Sequence, residues 1–244
     1  MSGHFTTGEK NAPEEYVRIT AVVQKPLLVL ASNSPRRREL LALGGWTFQV
    51  LPAEVDEQTR PGEAPATYVL RLAKLKARAC AKTASRDQLV LAADTAVVVD
   101  GDILGKPRNR AEAVEMLRRL RGRSHQVYTG LAALRISEGR LYTDLCVTDV
   151  PMRNYSDDEV DDYVATGDPF DKAGAYAIQH PWFQPVEKLA GCYASVMGLP
   201  LCHLFRLLSR LDVFPVSDVP GGCQSTLNYH CPITSAVLHG DQVG

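Results

Sequence analysis

No run among the 244 residues is long and uncharged enough to span a bilayer, and the opening stretch MSGHFTTGEKNAPEEYVRIT lacks the apolar stretch of a secretory leader. The expectation is a cytoplasmic protein with no membrane partner. The chain also lacks a net charge of either sign, since 27 Lys and Arg stand against 28 Asp and Glu for a formal charge of −1. Nothing pulls so balanced a molecule as a whole toward nucleic acid or an anionic surface, so stable nucleic-acid binding is not expected and basic groups must act locally. Six cysteines, at 80, 146, 192, 202, 223 and 231, include no CxxC pair and match no standard zinc spacing, which makes reduced thiols the default. Cys202-His203 and the group Cys223, His230 and Cys231 leave a metal clip or a disulfide open near the C-terminus. No internal repeat of helical-array or propeller type occurs.

What is present suits a packed core. With 45% hydrophobic residues, the chain has material for one α/β domain or two lobes sharing a cleft. Residues 1–25 are polar and aperiodic and read as a loose arm, 26–211 as the folded unit, and 212–244 as an irregular extension. An apolar strand at 27–31 leads into a helix over 35–43, stopped at Gly44-Gly45, and a second strand follows at 46–51. Tyr68, Leu72, Leu75 and Ala79 recur at helical spacing within 66–85. Residues 89–99 form an apolar run, and Asp100-Gly101-Asp102 turns it into a hairpin. A helix is expected at 109–120, a hairpin at 125–136 and 140–152, and a capping box at Ser156 and Glu159. Next come a loop with a short strand over 168–179, a short element at 191–196 and a closing helix at 199–211. Interspersed hairpins and crossovers predict an α/β protein with a mixed sheet and flanking helices.

The chemistry concentrates in a few places. In Ser32-Asn33-Ser34-Pro35, Ser34 is a good N-cap and Pro35 suits the first helical turn, so unpaired backbone N–H groups open beside Arg36, Arg37 and Arg38. A helix start with forked guanidinium donors is an anion grip, although by itself SPRR is also what a solvated helix start looks like. Asp94 interrupts an apolar strand, so its carboxylate is either paired inside the fold or aimed into a cleft. With Glu57 it makes two acidic groups near the arginines, which is what a metal-assisted phosphate reaction requires. Lys76 on a helix and Lys106 in Gly-Lys-Pro are ordinary solvated lysines when each is taken alone. In Asp171-Lys172-Ala173-Gly174-Ala175-Tyr176-Ala177-Ile178-Gln179 the small residues allow close backbone approach, and Gln179 can pair both ways with a base edge.

Taken in order, SxSPRR, Asp56-Glu57, the helical lysine, Ala-Asp-Thr, Gly-Lys-Pro, DKAGAYAIQ and Gly-Leu-Pro-Leu resemble the Maf family of nucleoside triphosphate pyrophosphatases over residues 27 to 211. The DKAGAY form is similar to the branch that hydrolyses dTTP and UTP rather than the branch acting on 7-methyl-GTP. The resemblance implies a fold like that of inosine triphosphate pyrophosphatases, with an elongated mixed sheet and two lobes around a cleft, and a homodimer. It implies that Asp94 accepts the proton of the attacking water and, with Glu57, holds a divalent cation such as Mg²⁺, Mn²⁺ or Co²⁺. Ser32, Arg36, Arg37, Lys76 and Lys106 would bind the triphosphate, and Arg36, Thr95 and Gln179 would set substrate choice. Arg38 matches nothing required. Two positions depart from the family pattern: His180-Pro181-Trp182 follows Gln179 where Gly is usual, and Ser195 stands for an Asn. Two rival readings are a nucleotide-binding regulator of cell division without essential catalysis, and a pyrophosphatase for modified purine triphosphates such as ITP.

Overall fold

The central strand of the sheet, β3 (Leu89–Val99), is eleven residues of Val, Leu and Ala broken only by Asp94 and Thr95, and it is buried on both faces. The computed structural model describes residues 27–241 and 243, so the expected arm at 1–25 lies outside the described residues. β1 (Leu28–Leu30) runs parallel to β2 (Phe48–Val50) on one side and to the start of β3 on the other. β4 (Asp102–Leu104) folds back antiparallel on the end of β3. β5 (Ser124–Arg135) and β6 (Arg140–Pro151) are a long hairpin added antiparallel to the opposite edge of β3. The order is β2-β1-β3-β5-β6, with β4 also on β3, which makes the expected mixed sheet.

The register opens the cleft. β1 pairs with residues 89–91 of β3 and β4 with residues 97–99, so on that edge residues 92–96 have no ladder partner. The sheet parts there. One hydrophobic cluster gathers behind β1 and the start of β3, another around the β4 end, and Asp94 and Thr95 lie at the join.

Helices close both faces. α1 (Pro35–Ala42) follows β1, and Ser34 caps it by accepting from the Arg37 N–H. α2 (Pro65–Cys80) lies across β3 and β5 on its Val69, Leu72, Ala73 and Ala77 face. It sits this low because Gly130 of β5 has no side chain: a Cβ there would stand 2.8 Å from the Val69 carbonyl carbon. α3 (Arg110–Leu120) and α4 (Asp157–Ala165) cover the second cluster, and the Ser156–Glu159 capping box forms as expected.

Two stretches differ from expectation. Residues 168–179 contain no strand; they form two 3₁₀ turns, Asp168–Asp171 and Ala173–Ala175, with Gly174 in the left-handed region, because Lys172 draws the chain into a knot by binding Asp168 and Asp171. After α5 (Tyr193–Met197) and α6 (Leu201–Ser209), the segment expected to be irregular forms α7 (Val219–Leu227) and α8 (Thr234–His239). Asp218 caps α7, and Val219, Cys223 and Leu227 complete the first core cluster, so burial overrides the poor helix propensity of Gly221-Gly222. No helix among the described residues is long and apolar enough to cross a membrane.

Candidate active site

Between the two clusters lies a cavity of about 400 Å³, wide enough for a nucleotide. Its floor is the parted stretch of β3. There Asp94, only 6% exposed, faces Lys76 from α2, whose ammonium stands 2.6 Å from Asp94 Oδ1 and 2.7 Å from Glu57 Oε1. The three groups form one charge cluster, with Glu57 on the solvent side. Tyr68, about two turns before Lys76 on α2, donates its hydroxyl to the Glu57 carbonyl at 2.9 Å and fixes the 52–64 loop over the cavity.

The two carboxylates are driven apart in acidity. Burial pushes the Asp94 carboxyl above the usual range, against the pull of Lys76 and Arg37. At Glu57 burial also works upward, but the Lys76 hydrogen bond and charge outweigh it and hold the group low. Such a split equips one carboxylate to take a proton while the other stays ionised.

The opposite wall is the start of α1. Arg37 is clamped: Nε donates to Gly198 O at 2.8 Å, Nη2 to Thr95 Oγ1 at 3.1 Å and Nη1 to Ser32 Oγ at 3.4 Å. Thr95 shares a hydrogen bond with Thr129 at 3.0 Å, and Thr129 donates to Ser195 O at 3.0 Å, so β3, β5 and α5 all brace one guanidinium. Gly198 makes this possible at φ +107°, where a Cβ would press on Arg37 Nε and Thr95 Oγ1 at 3.3 and 3.4 Å. Arg36 reaches across the cavity to Asp171 at 3.6 Å, and Lys106 faces it from the β4 side.

The structure therefore gathers Arg36, Arg37, Glu57, Lys76, Asp94, Thr95, Lys106 and Gln179 around one cavity, from segments up to 143 residues apart. Ser32 is placed differently: it is buried behind Arg37 and braces it, while Ser34 reaches the cavity wall. Arg38 is exposed and outside. His180 and Trp182 pack against Tyr163, at ring separations of 4.7 and 6.2 Å, and stay out of this cavity. Nothing in the sequence marks Tyr68 or Thr129 as a site residue, since Tyr68 has the helical spacing of a core residue, while Asp171 and Gly198 stand out only within the DKAGAY and Gly-Leu-Pro-Leu runs.

The donor set at the charge cluster is one of hard oxygens. Asp94 and Glu57 each use one carboxylate oxygen on Lys76, and both converge on a point already stabilised by positive charge. Among the described residues no three His, Cys, Asp or Glu side chains gather as a complete protein cage.

Residues 27–211 match the family of Maf-like proteins. The dTTP/UTP pyrophosphatase of Photorhabdus laumondii is 50% identical over 184 residues, 75% of this chain and 93% of that one. That of Escherichia coli O157:H7 is 46% identical over 186 residues (76% and 93%), and that of Chlorobium phaeovibrioides is 43% identical over 190 (76% and 97%). Among solved structures, the Staphylococcus aureus Ham1 protein matches with a TM-score of 0.39 at 17% identity over 51% of this chain and 71% of that one.

Proposed function

The chain belongs to the family of Maf-like proteins, and on that footing we propose that its cleft hydrolyses dTTP and UTP to the nucleoside monophosphate and pyrophosphate. The observation that carries the reading is the cavity itself, where Arg36, Arg37, Lys76 and Lys106 gather with a buried carboxylate around a space of nucleotide size.

Arg36, Arg37 and Lys106 take the triphosphate, with the N–H groups at the start of α1 adding donors for an anion. Arg37 enters the reaction already oriented by Gly198, Thr95 and Ser32, so little side-chain entropy is lost on binding. Arg36 exchanges its long contact with Asp171 for phosphate oxygens. Asp94 accepts a proton from the water that attacks the α-phosphorus, and its raised pKa makes it a stronger base than a surface carboxylate. The cations then stabilise the charge that develops on the departing pyrophosphate. Thr95 and Gln179 line the cavity and set substrate choice.

Glu57 and Asp94 would hold a divalent cation, Mg²⁺, Mn²⁺ or Co²⁺, with phosphate and water completing its shell. Once bound, such an ion neutralises phosphate charge and lowers the pKa of water. With that ion in place, Lys76 would be free to turn from the two carboxylates to the phosphates. The protein acts in the cytoplasm as a homodimer, which sedimentation of the full chain checks.

The decisive assay is pyrophosphate release from dTTP, UTP, CTP, ITP and 7-methyl-GTP, each with Mg²⁺, Mn²⁺ or Co²⁺. dTTP and UTP are expected to turn over fastest, and only with a metal. Faster release from ITP or 7-methyl-GTP would reassign the substrate, and tight nucleotide binding without any product would make the cleft a sensor.

A further inference from the structure

Thr95 and Thr129 stand directly opposite each other in the β3–β5 register, and their hydroxyl oxygens are 3.0 Å apart. They form the middle of a chain of four groups. At one end Arg37 donates from Nη2 to Thr95 Oγ1 at 3.1 Å, and at the other Thr129 Oγ1 lies 3.0 Å from Ser195 O. A guanidinium only donates and a carbonyl only accepts, so the two ends fix which way the hydroxyls between them point. Thr129 gives its one hydrogen to Ser195 O, and Thr95 gives its own to Thr129. The reverse order would set the Thr129 oxygen against the Ser195 carbonyl, lone pair to lone pair at 3.0 Å, with Thr129 fully buried.

This order decides what Thr95 offers a ligand. A hydroxyl has one hydrogen and two lone pairs. With its hydrogen turned to Thr129 and one lone pair taken by Arg37, Thr95 brings a single lone pair to the cavity that it lines. In the reverse order Thr129 and Arg37 would occupy both lone pairs and leave only the O–H. Thr129, which lies outside the cavity wall, thus selects whether Thr95 acts as acceptor or donor. A phosphate oxygen has no hydrogen to give such a group, so its partner is a donor elsewhere on the nucleotide. Neighbouring side chains on a strand point to opposite faces: Asp94 turns to Lys76 of α2 and Thr95 to the α1 and α5 side. The two residues therefore address different parts of one ligand.

We propose that Thr129 is a positioning residue that fixes Thr95 as an acceptor, and that Thr95 takes the hydrogen on ring nitrogen 3 of uracil or thymine. This assignment rests on the cleft being a dTTP and UTP pyrophosphatase, and it gives that cleft a means of rejecting cytosine. Nitrogen 3 carries a hydrogen in uracil and thymine, whereas in cytosine it is itself an acceptor. Against Thr95 the cytosine ring would leave two lone pairs facing each other. The methyl group that separates thymine from uracil is on carbon 5, away from this contact, so both bases are admitted.

The test measures kcat/KM for UTP and CTP in the wild-type chain and three variants. Thr129→Val keeps the volume but frees the Thr95 hydroxyl to turn its hydrogen into the cavity, where cytosine nitrogen 3 accepts it, so the UTP-to-CTP ratio should fall about tenfold. Thr129→Ser keeps the hydroxyl and should keep the wild-type ratio. Thr95→Val removes the acceptor and should lower the ratio to a similar degree, which preserves the test if Thr129→Val does not fold. A Thr129 with only a structural role would lower turnover of both nucleotides alike. An unmoved ratio in Thr129→Val and Thr95→Val overturns the proposal, as does a ratio lost equally in Thr129→Ser or a wild-type chain with no preference for UTP. The pyrophosphatase reading fails separately, if the wild-type chain releases pyrophosphate from neither nucleotide. Calorimetric binding of the α,β-imido analogues of UTP and CTP to the same variants then reads the ratio, with the same outcomes for and against.

Discussion

Asp94 combines three properties that rarely meet in one carboxylate: it is nearly inaccessible, it contacts a lysine at 2.6 Å, and burial still raises its pKa. Replacing it with Asn keeps shape and polarity but removes the proton acceptor. Asp94→Asn should lower kcat by roughly 10²- to 10⁴-fold with nucleotide affinity nearly unchanged; near-normal turnover in a stopped-flow assay would move the base elsewhere. Lys76 makes a second, sharper test. It holds the Asp94 proton off, so removing its charge lets the carboxyl pKa climb further. The base works only when ionised, and activity therefore rises with pH through this pKa. In Lys76→Gln the acid limb of the kcat/KM profile, which reports the free enzyme, should shift to higher pH, and an unmoved limb would mean that some other group sets it. At this scale the residue types were legible because each broke a local pattern: an acid in an apolar strand, arginines at a capped helix start. Tyr68 and Thr129 were not legible, since an aromatic at helical spacing and a threonine within a strand look the same in any fold.

Among the elements, β3 and α2 carry the site between them. Gly130 sits opposite Asp94 in the β3–β5 register, and the bare backbone there lets α2 settle low enough to deliver Lys76 and Tyr68. Gly130→Ala would place a methyl within 2.8 to 3.0 Å of the Val69 and Leu70 backbone, where no side-chain rotation relieves it. The cost should be about 3 kcal/mol, at the upper end for overpacking, read as a lower urea midpoint, together with a loss of turnover from the displaced Lys76. An unchanged midpoint would show that α2 shifts freely. The helices with strong caps, α1, α3 and α4, were readable from sequence because capping is local. α7 was not: Asp218 caps it, but two glycines weaken it, and burial against the first core cluster has to make up the difference.

The molecule as a whole depends on keeping certain polar groups neutral inside. His125 of β5 bonds Tyr176 of the 168–179 knot at 2.9 Å and joins the two across the second core cluster. Burial lowers its pKa to about 4, against roughly 6.5 in an unfolded chain. Between those values the unfolded chain binds the additional proton, so folding stability falls as pH drops from about 6.5 to about 4, by up to about 3 kcal/mol, and this loss is complete below that window. Thermal melts across pH 7 to 4 should show the decline in the wild-type chain and a shallower one in His125→Gln; equal slopes would assign the acid sensitivity to other groups.

By itself the sequence determined which chemical groups exist, their order, and the starts of the capped helices, because these depend on neighbours within a turn or two. It carried the mixed α/β class for the same reason, since strand and helix periodicities are local. Only the tertiary structure decided that Arg37 would be gripped by Gly198, 161 residues away, that Ser32 would brace it from behind, and that the sheet would part at residues 92–96 to seat Asp94. Those outcomes hang on strand register and on how closely helix and sheet backbones approach. Register and approach are settled by the whole core packing at once, and no single window of the chain contains them.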